Sequence, residues 1–232
     1  MEIYDKLTQV LSKDWFDIRH TGSCYGIVEE EKGAAVRNAE IIYHGKLMSI
    51  NKDIFNKTDF LFYKEDDTPQ NMPDLRHSCD GVLVIEKKEK KYIVFIELKS
   101  DYTQGNIRKA EKQLCASYFR TMALLQCLDI NDIDQYKKCG IIVSYQLDRS
   151  KVTLYQKIKT QKARHLTWYE RQGLTFAFND FKSFPITKTY SYLGKIPVKS
   201  SLVFDELPTF HVNVNNGCDC VKFELDKILN QL

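Results

Sequence analysis

The chain has 232 residues, enough to bury a sizeable core as one large domain or two small ones. Hydrophobic residues make up 43% and charged residues 28%, a balance that excludes extended disorder. The net charge of +3 supplies no global field that demands a nucleic-acid partner, so local charge has to carry any such argument.

The opening residues, MEIYDKLTQVL, hold no basic-then-apolar leader, and no apolar run reaches membrane-spanning length. The seven cysteines are scattered without a CxxC spacing, and the close pair Cys218 and Cys220 fits neither a zinc knuckle nor a redox motif. A soluble, cytoplasmic protein with reduced thiols and no membrane partner is expected. Residues 2–18 carry Ile3, Leu7, Val10, Leu11 and Phe16 at roughly helical spacing, which predicts an amphipathic helix. Residues 20–50 are open to two readings: a helix from about Glu29 to Tyr43, or two strands around a turn at Gly33. From Asp53 to Cys79 a group of aromatics gives way to a polar segment with two prolines, which reads as an irregular loop.

The stretch Asp80–Lys99, DGVLVIEKKEKKYIVFIELK, holds two apolar runs, Val82–Ile85 and Tyr92–Ile96, around a charged turn. That pattern predicts a β-hairpin. A polar stop follows, and then Ile107, Ala110, Leu114, Tyr118, Thr121, Leu125 and Leu128 recur at helical spacing over about 107–128. Ile141–Tyr145 reads as a strand and Val152–Gln156 as its partner; FHVNV near the end reads as a strand, followed by an NNG turn and a short helix over 221–231. Strand, strand, helix, strand is the order of an α/β fold with a mixed central β-sheet flanked by helices. A single domain over 1–232 is expected, with its core at about 79–156. Residues 151–200 are different: ten lysines and arginines face only Glu170 and Asp180, a local balance of +8 with aromatics interleaved. The remainder must then carry about −5.

Three ionisable residues break the rule for buried strands. Asp80 stands at the mouth of the first run, and Glu97 and Lys99 end the second, two residues apart and therefore on one face. Removing an ion from water costs several kcal/mol unless it is paired or binds a metal. Two carboxylates on neighbouring strand ends suit Mg2+ or Mn2+, with the carbonyl of Leu98 as a further oxygen ligand. Such an ion polarises a phosphoryl oxygen and acidifies a bound water, and Lys99 is placed to orient that water or to neutralise developing charge.

At these residues the chain resembles the PD-(D/E)xK nuclease superfamily, which has the restriction-endonuclease-like fold. The resemblance rests on Asp80 opening a strand, the charged turn, and IELK closing the next strand with Glu97 and Lys99; it covers about residues 79–128. It implies metal-dependent hydrolysis of phosphodiester bonds in nucleic acid, DNA ahead of RNA. Some branches place a glutamine on the following helix, and Gln113 in EKQLCASYF matches it, although Tyr118 stands five residues on where the branch motif has four. The residue before Asp80 is Cys79 rather than proline; a literal Pro73–Asp74 lies upstream, so Asp74 competes as the first acid. The family's first helix often supplies another glutamate, for which Glu29, Glu30, Glu31 and Glu40 are all candidates. A lone nuclease domain without a sequence-reading module implies targeting by a homodimer or partner subunit, with defence against foreign nucleic acid as the setting. The rival expectation is an inactive nuclease-fold protein acting as a nucleic-acid-binding or assembly subunit. A glycine-rich phosphate loop and a Ser–His elbow are both absent from the sequence.

Overall fold

The computed structural model describes residues 2–19, 24–30, 32–58, 75–128, 130, 133–145, 153, 166–178, 182–188, 198–215 and 217–232. The most apolar run of the chain is its centre. It forms strand β6 (Lys90–Leu98), whose residues from Tyr92 onward are all buried. Around it lie β1 (Phe16–Arg19), β4 (Lys46–Ile50), β5 (Gly81–Lys87), β7 (Tyr136–Tyr145), β8 (Phe184–Thr187) and β9 (Glu206–Val214), in the order β1-β4-β5-β6-β7-β9-β8. The pairs from β1 to β6 are antiparallel, β6, β7 and β9 are parallel, and β8 closes the edge antiparallel. A second sheet of three strands runs β10 (Cys220–Glu224), β3 (Asn38–Ile42) and β2 (Cys24–Val28). The expected α/β architecture with a mixed sheet flanked by helices is what the chain forms.

Strand alternation divides β6 between two cores. Ile93 and Phe95 face helix α3 (Gln104–Cys127), packing with Val82, Val84, Ile107, Ala110, Leu114 and Tyr118. Tyr92, Val94, Ile96 and Leu98 face the three-stranded sheet and helix α5 (Leu225–Leu229), packing with Ile27, Ile41, Phe223 and Ile228. Both faces of a parallel-containing sheet are therefore covered, which is why its strands read as continuous apolar runs. Glu97 and Lys99 continue the Ile93–Phe95 row and so lie on the α3 side. Thr103 caps α3, its hydroxyl accepting the Asn106 N–H at 3.4 Å; such caps contribute about 1 kcal/mol.

Several boundaries differ from expectation. Helix α1 spans only Glu2–Val10; Ser12 accepts the Asp14 N–H in a short turn, and Phe16 enters β1 opposite Ile50. Between 20 and 50 the two-strand reading holds: β2 and β3 pair across a turn in which Gly33 has φ +94°. The aromatic stretch opens with a one-turn helix, α2 (Asp53–Lys57), and the polar segment expected as a loop lies, up to Asp74, outside the described residues. β7 begins five residues early, at Tyr136, because it pairs with β6 along its length. Residues 220–224 are a strand rather than helix, since β3 offers them a parallel edge. The expected strand Val152–Gln156 lies, apart from Thr153, outside the described residues, and β7 takes β9 as its second neighbour. In the basic segment, helix α4 (Trp168–Phe178) puts Trp168, Tyr169 and Phe176 into the core.

Candidate metal centre

The pairing of β5 with β6 assembles the acids. Gly81 lies opposite Ile96, so Asp80, one residue earlier, meets the end of β6. Its Oδ2 accepts the Leu98 N–H at 2.7 Å, which leaves its other oxygen for a ligand. Glu97 is 0% exposed. Its Oε1 forms an ion pair with Lys99 Nζ, while Oε2 is buried with no hydrogen-bond partner among the described residues. Lys99 is 7% exposed, and its backbone N–H donates to Val143 O at 2.8 Å. The third acid, Glu29, arrives from the small sheet just beyond β2. Glu29, Asp80 and Glu97 bring one ligand oxygen each to within 4.8 Å of one another.

Burial sets the electrostatics. The Glu97 carboxyl is held well above its ordinary pKa by desolvation and then by the charge of Asp80, with Lys99 opposing both. Asp80 is pushed up to about 6, again by burial first; the Leu98 N–H works against this, Glu29 adds to it, and Lys99 and Lys52 oppose it. Burial works against the Lys52 ammonium, but the Glu30 carboxylate at 2.9 Å and the charges of Asp80 and Glu29 outweigh it, so its pKa is raised. Three crowded carboxylates, one with an orphaned buried oxygen, form the donor set a hard divalent cation relieves. Oxygens sharing one ion at about 2.0–2.6 Å are separated by at most about 4–5 Å, so the observed spacing fits.

Helix α3 fixes the segment that presents Asp80. Gln113 Nε2 donates to Ser78 O at 3.1 Å, Ser117 Oγ accepts the Cys79 N–H at 2.7 Å, and Arg120 donates to Leu75 O at 3.1 Å, Arg76 O at 2.8 Å and Phe55 O. Positions 113, 117 and 120 share one helix face. Gln113 thus reaches the backbone two residues before Asp80, while its Oε1 is buried with no hydrogen-bond partner among the described residues. Tyr118 packs between Phe95 and Phe204, with ring centroids 5.6 and 4.9 Å away. Cys79, where the motif has proline, is buried, and its thiol is pushed up to about 12 by desolvation, which makes it inert.

Of the four candidate glutamates, Glu29 joins the acids, Glu30 pairs with Lys52, Glu40 pairs with Lys222 at 3.2 Å, and Glu31 lies outside the described residues. Glu29 follows a strand, not a helix. Asp74 also lies outside the described residues, as do Lys151, Lys157, Lys159, Lys162, Arg164 and Lys195 of the basic segment. Sequence reasoning passed over Lys52 and a second buried polar pair on the same sheet face: Ser144 Oγ, near the end of β7, and His211 Nε2, within β9, are 2.8 Å apart. A histidine alternating with Phe210 and Val212 was the available signal. Burial drives its pKa down to about 3, so the ring is neutral. In comparisons with family models, curated proteins and solved structures, the chain matches none.

Proposed function

We propose that the chain is a metal-dependent nuclease hydrolysing phosphodiester bonds, DNA ahead of RNA. The observation that carries this reading is Glu97: fully buried, with one oxygen on Lys99 and the other unpartnered beside Asp80 and Glu29. A solvated strand end has no reason to bury a carboxylate in this way.

In this reading Asp80, Glu97 and Glu29 hold Mg2+ or Mn2+, with the carbonyl of Leu98 as a further ligand. The bound ion supplies Lewis-acid polarisation of the phosphoryl oxygen and an acidified water. Lys99, kept in place by Glu97, donates to a phosphoryl oxygen and offsets charge as it builds there. Gln113 is a positioning residue, acting on Asp80 through Ser78.

The test is incubation with plasmid DNA and with RNA in Mg2+ or Mn2+, against EDTA and against Lys99→Ala. Cleavage should stop in EDTA and fall by about 10²–10³ in the variant. Cleavage indifferent to both controls would remove the site assignment. Metal and nucleic-acid binding without cleavage would favour a binding or assembly subunit.

A further inference from the structure

Beside the acids lies a cleft of about 200 Å³ lined by Glu29, Lys32, Gly33, Ala34, Leu98, Lys99, Ser100, Asn106 and Lys109. Three of these are lysines, and the only acid among them is Glu29, which is also part of the cluster already described. The cleft sits at the first turns of α3, whose N-terminal end adds partial positive charge. Its walls are tied together, since Ser100 Oγ accepts the Ala35 N–H at 3.1 Å. The buried Lys99 is the most telling element. An ammonium has three donors, and among the described residues Lys99 uses one, on Glu97. Lys99 is one of the residues that line the cleft. The volume is below the roughly 300–1,000 Å³ of pockets that enclose drug-sized ligands. It is enough for a tetrahedral oxyanion with some water, at about 30 Å³ per water.

We propose that this cleft is a phosphate subsite, holding a phosphate group of the substrate strand other than the one cleaved. The proposal rests on the nuclease reading for its substrate but not for its chemistry. Lys32 and Lys109, both exposed, clamp the phosphate oxygens from outside, and Lys99, with one donor on Glu97 and one for the phosphoryl group that is cleaved, gives its third from within. The group is either the phosphate next along the strand or the terminal phosphate of a strand end.

The experiment measures fluorescence anisotropy of a labelled DNA duplex in Ca2+ for the intact chain, for the Lys32→Gln/Lys109→Gln variant, and for a Lys87→Gln/Lys88→Gln control at the far hairpin tip. The clamp variant should lose about tenfold in affinity, and its salt slope should shrink by about one, as expected for one phosphate contact. Inorganic phosphate should compete with the duplex for the intact chain and not for that variant. Duplexes ending in 5′-hydroxyl, or carrying a methylphosphonate beside the cleavage position, separate the two sources: the one that abolishes the difference between intact chain and variant identifies the phosphate. Equal affinity, salt slope and phosphate competition in the clamp variant, or losses equalled by the hairpin control, would overturn the subsite. Cleavage is scored separately. A chain that cuts nothing but still shows the clamp effect refutes the nuclease reading alone; one that cuts without the effect refutes the subsite alone.

Discussion

Asp80 carries its charge at a cost in the metal-free protein, and that cost has a definite sign. Its pKa is about 6 in the folded chain against an ordinary 3.8. Between those values the folded state binds more protons than the unfolded one, so stability falls as pH rises through roughly 4 to 6. An ion-paired carboxylate behaves in the opposite way. Asp80→Asn keeps an acceptor for the Leu98 N–H and removes the charge. In EDTA at pH 8 it should raise the melting temperature by about 4–8 °C, for about 2 kcal/mol in a chain of this size, and the difference should vanish below pH 4. Mn2+ should stabilise the parent chain and leave the variant unmoved, with affinity falling as pH drops below about 6. A variant that melts like the parent at pH 8 would refute the crowding of acids. Asp80, Glu97 and Lys99 were legible in the sequence because strand alternation makes a charge on a covered face an anomaly. Glu29 was one of four candidates, because its place depends on how Ile27 packs against Gly81, which no local pattern encodes.

Helix α3 was legible as an element, but its polar residues were not legible as devices. Gln113 stood out only through the resemblance and Arg120 through no pattern at all; in the fold they hold the backbone within Leu75–Asp80, at Ser78 and at Leu75 and Arg76. Removing the Arg120 side chain strands several buried carbonyls. Arg120→Ala should cost about 3 kcal/mol and lower the melting temperature by about 6–12 °C. Gln113→Ala should cost only about 1 kcal/mol of stability yet weaken Mn2+ binding by about tenfold, as loss of support behind a metal ligand does. Unchanged Mn2+ affinity in that variant, measured by calorimetry, would rule out its positioning role. The turn into β4 gives a sharper test. Gly45 has φ +121°, and an added Cβ would meet Glu86 O at 2.5 Å. Gly45→Ala should therefore destabilise by at least about 2 kcal/mol in urea unfolding. Boundaries were misread where pairing overrides pattern, as at Phe16 opposite Ile50 and at residues 220–224 beside β3.

Over the whole molecule, charge and acid cluster are segregated along the chain. Residues 151–200 carry about +8 while the acids that meet at the candidate centre all precede residue 100. A negative pocket by itself repels a phosphate backbone, so the proposed nuclease would need both a cation and a basic surface to bind its substrate. Binding should thus be strongly salt-dependent, and neutralising Lys157, Lys159 and Lys162 together should reduce the slope of log K against log salt without changing Mn2+ affinity. A slope unaffected by the triple change would exclude that stretch as backbone contact. The uneven charge was legible in the sequence; where these lysines lie relative to the acids was not, because spacing along the chain says nothing of distance in the fold.

The small sheet adds a constraint of timing. β3 has β2 on one side and β10 on the other, so the strand that leads to Glu29 is braced by residues nearly two hundred positions later. A two-stranded hairpin alone is marginal in water. During synthesis Asp80, Glu97 and Lys99 emerge early, yet the arm bearing the third carboxylate is secured only once residue 224 has been added. A growing chain therefore carries an incomplete pocket while the residues from 100 to 224 are being added, and the three-acid cluster is a property of the assembled fold.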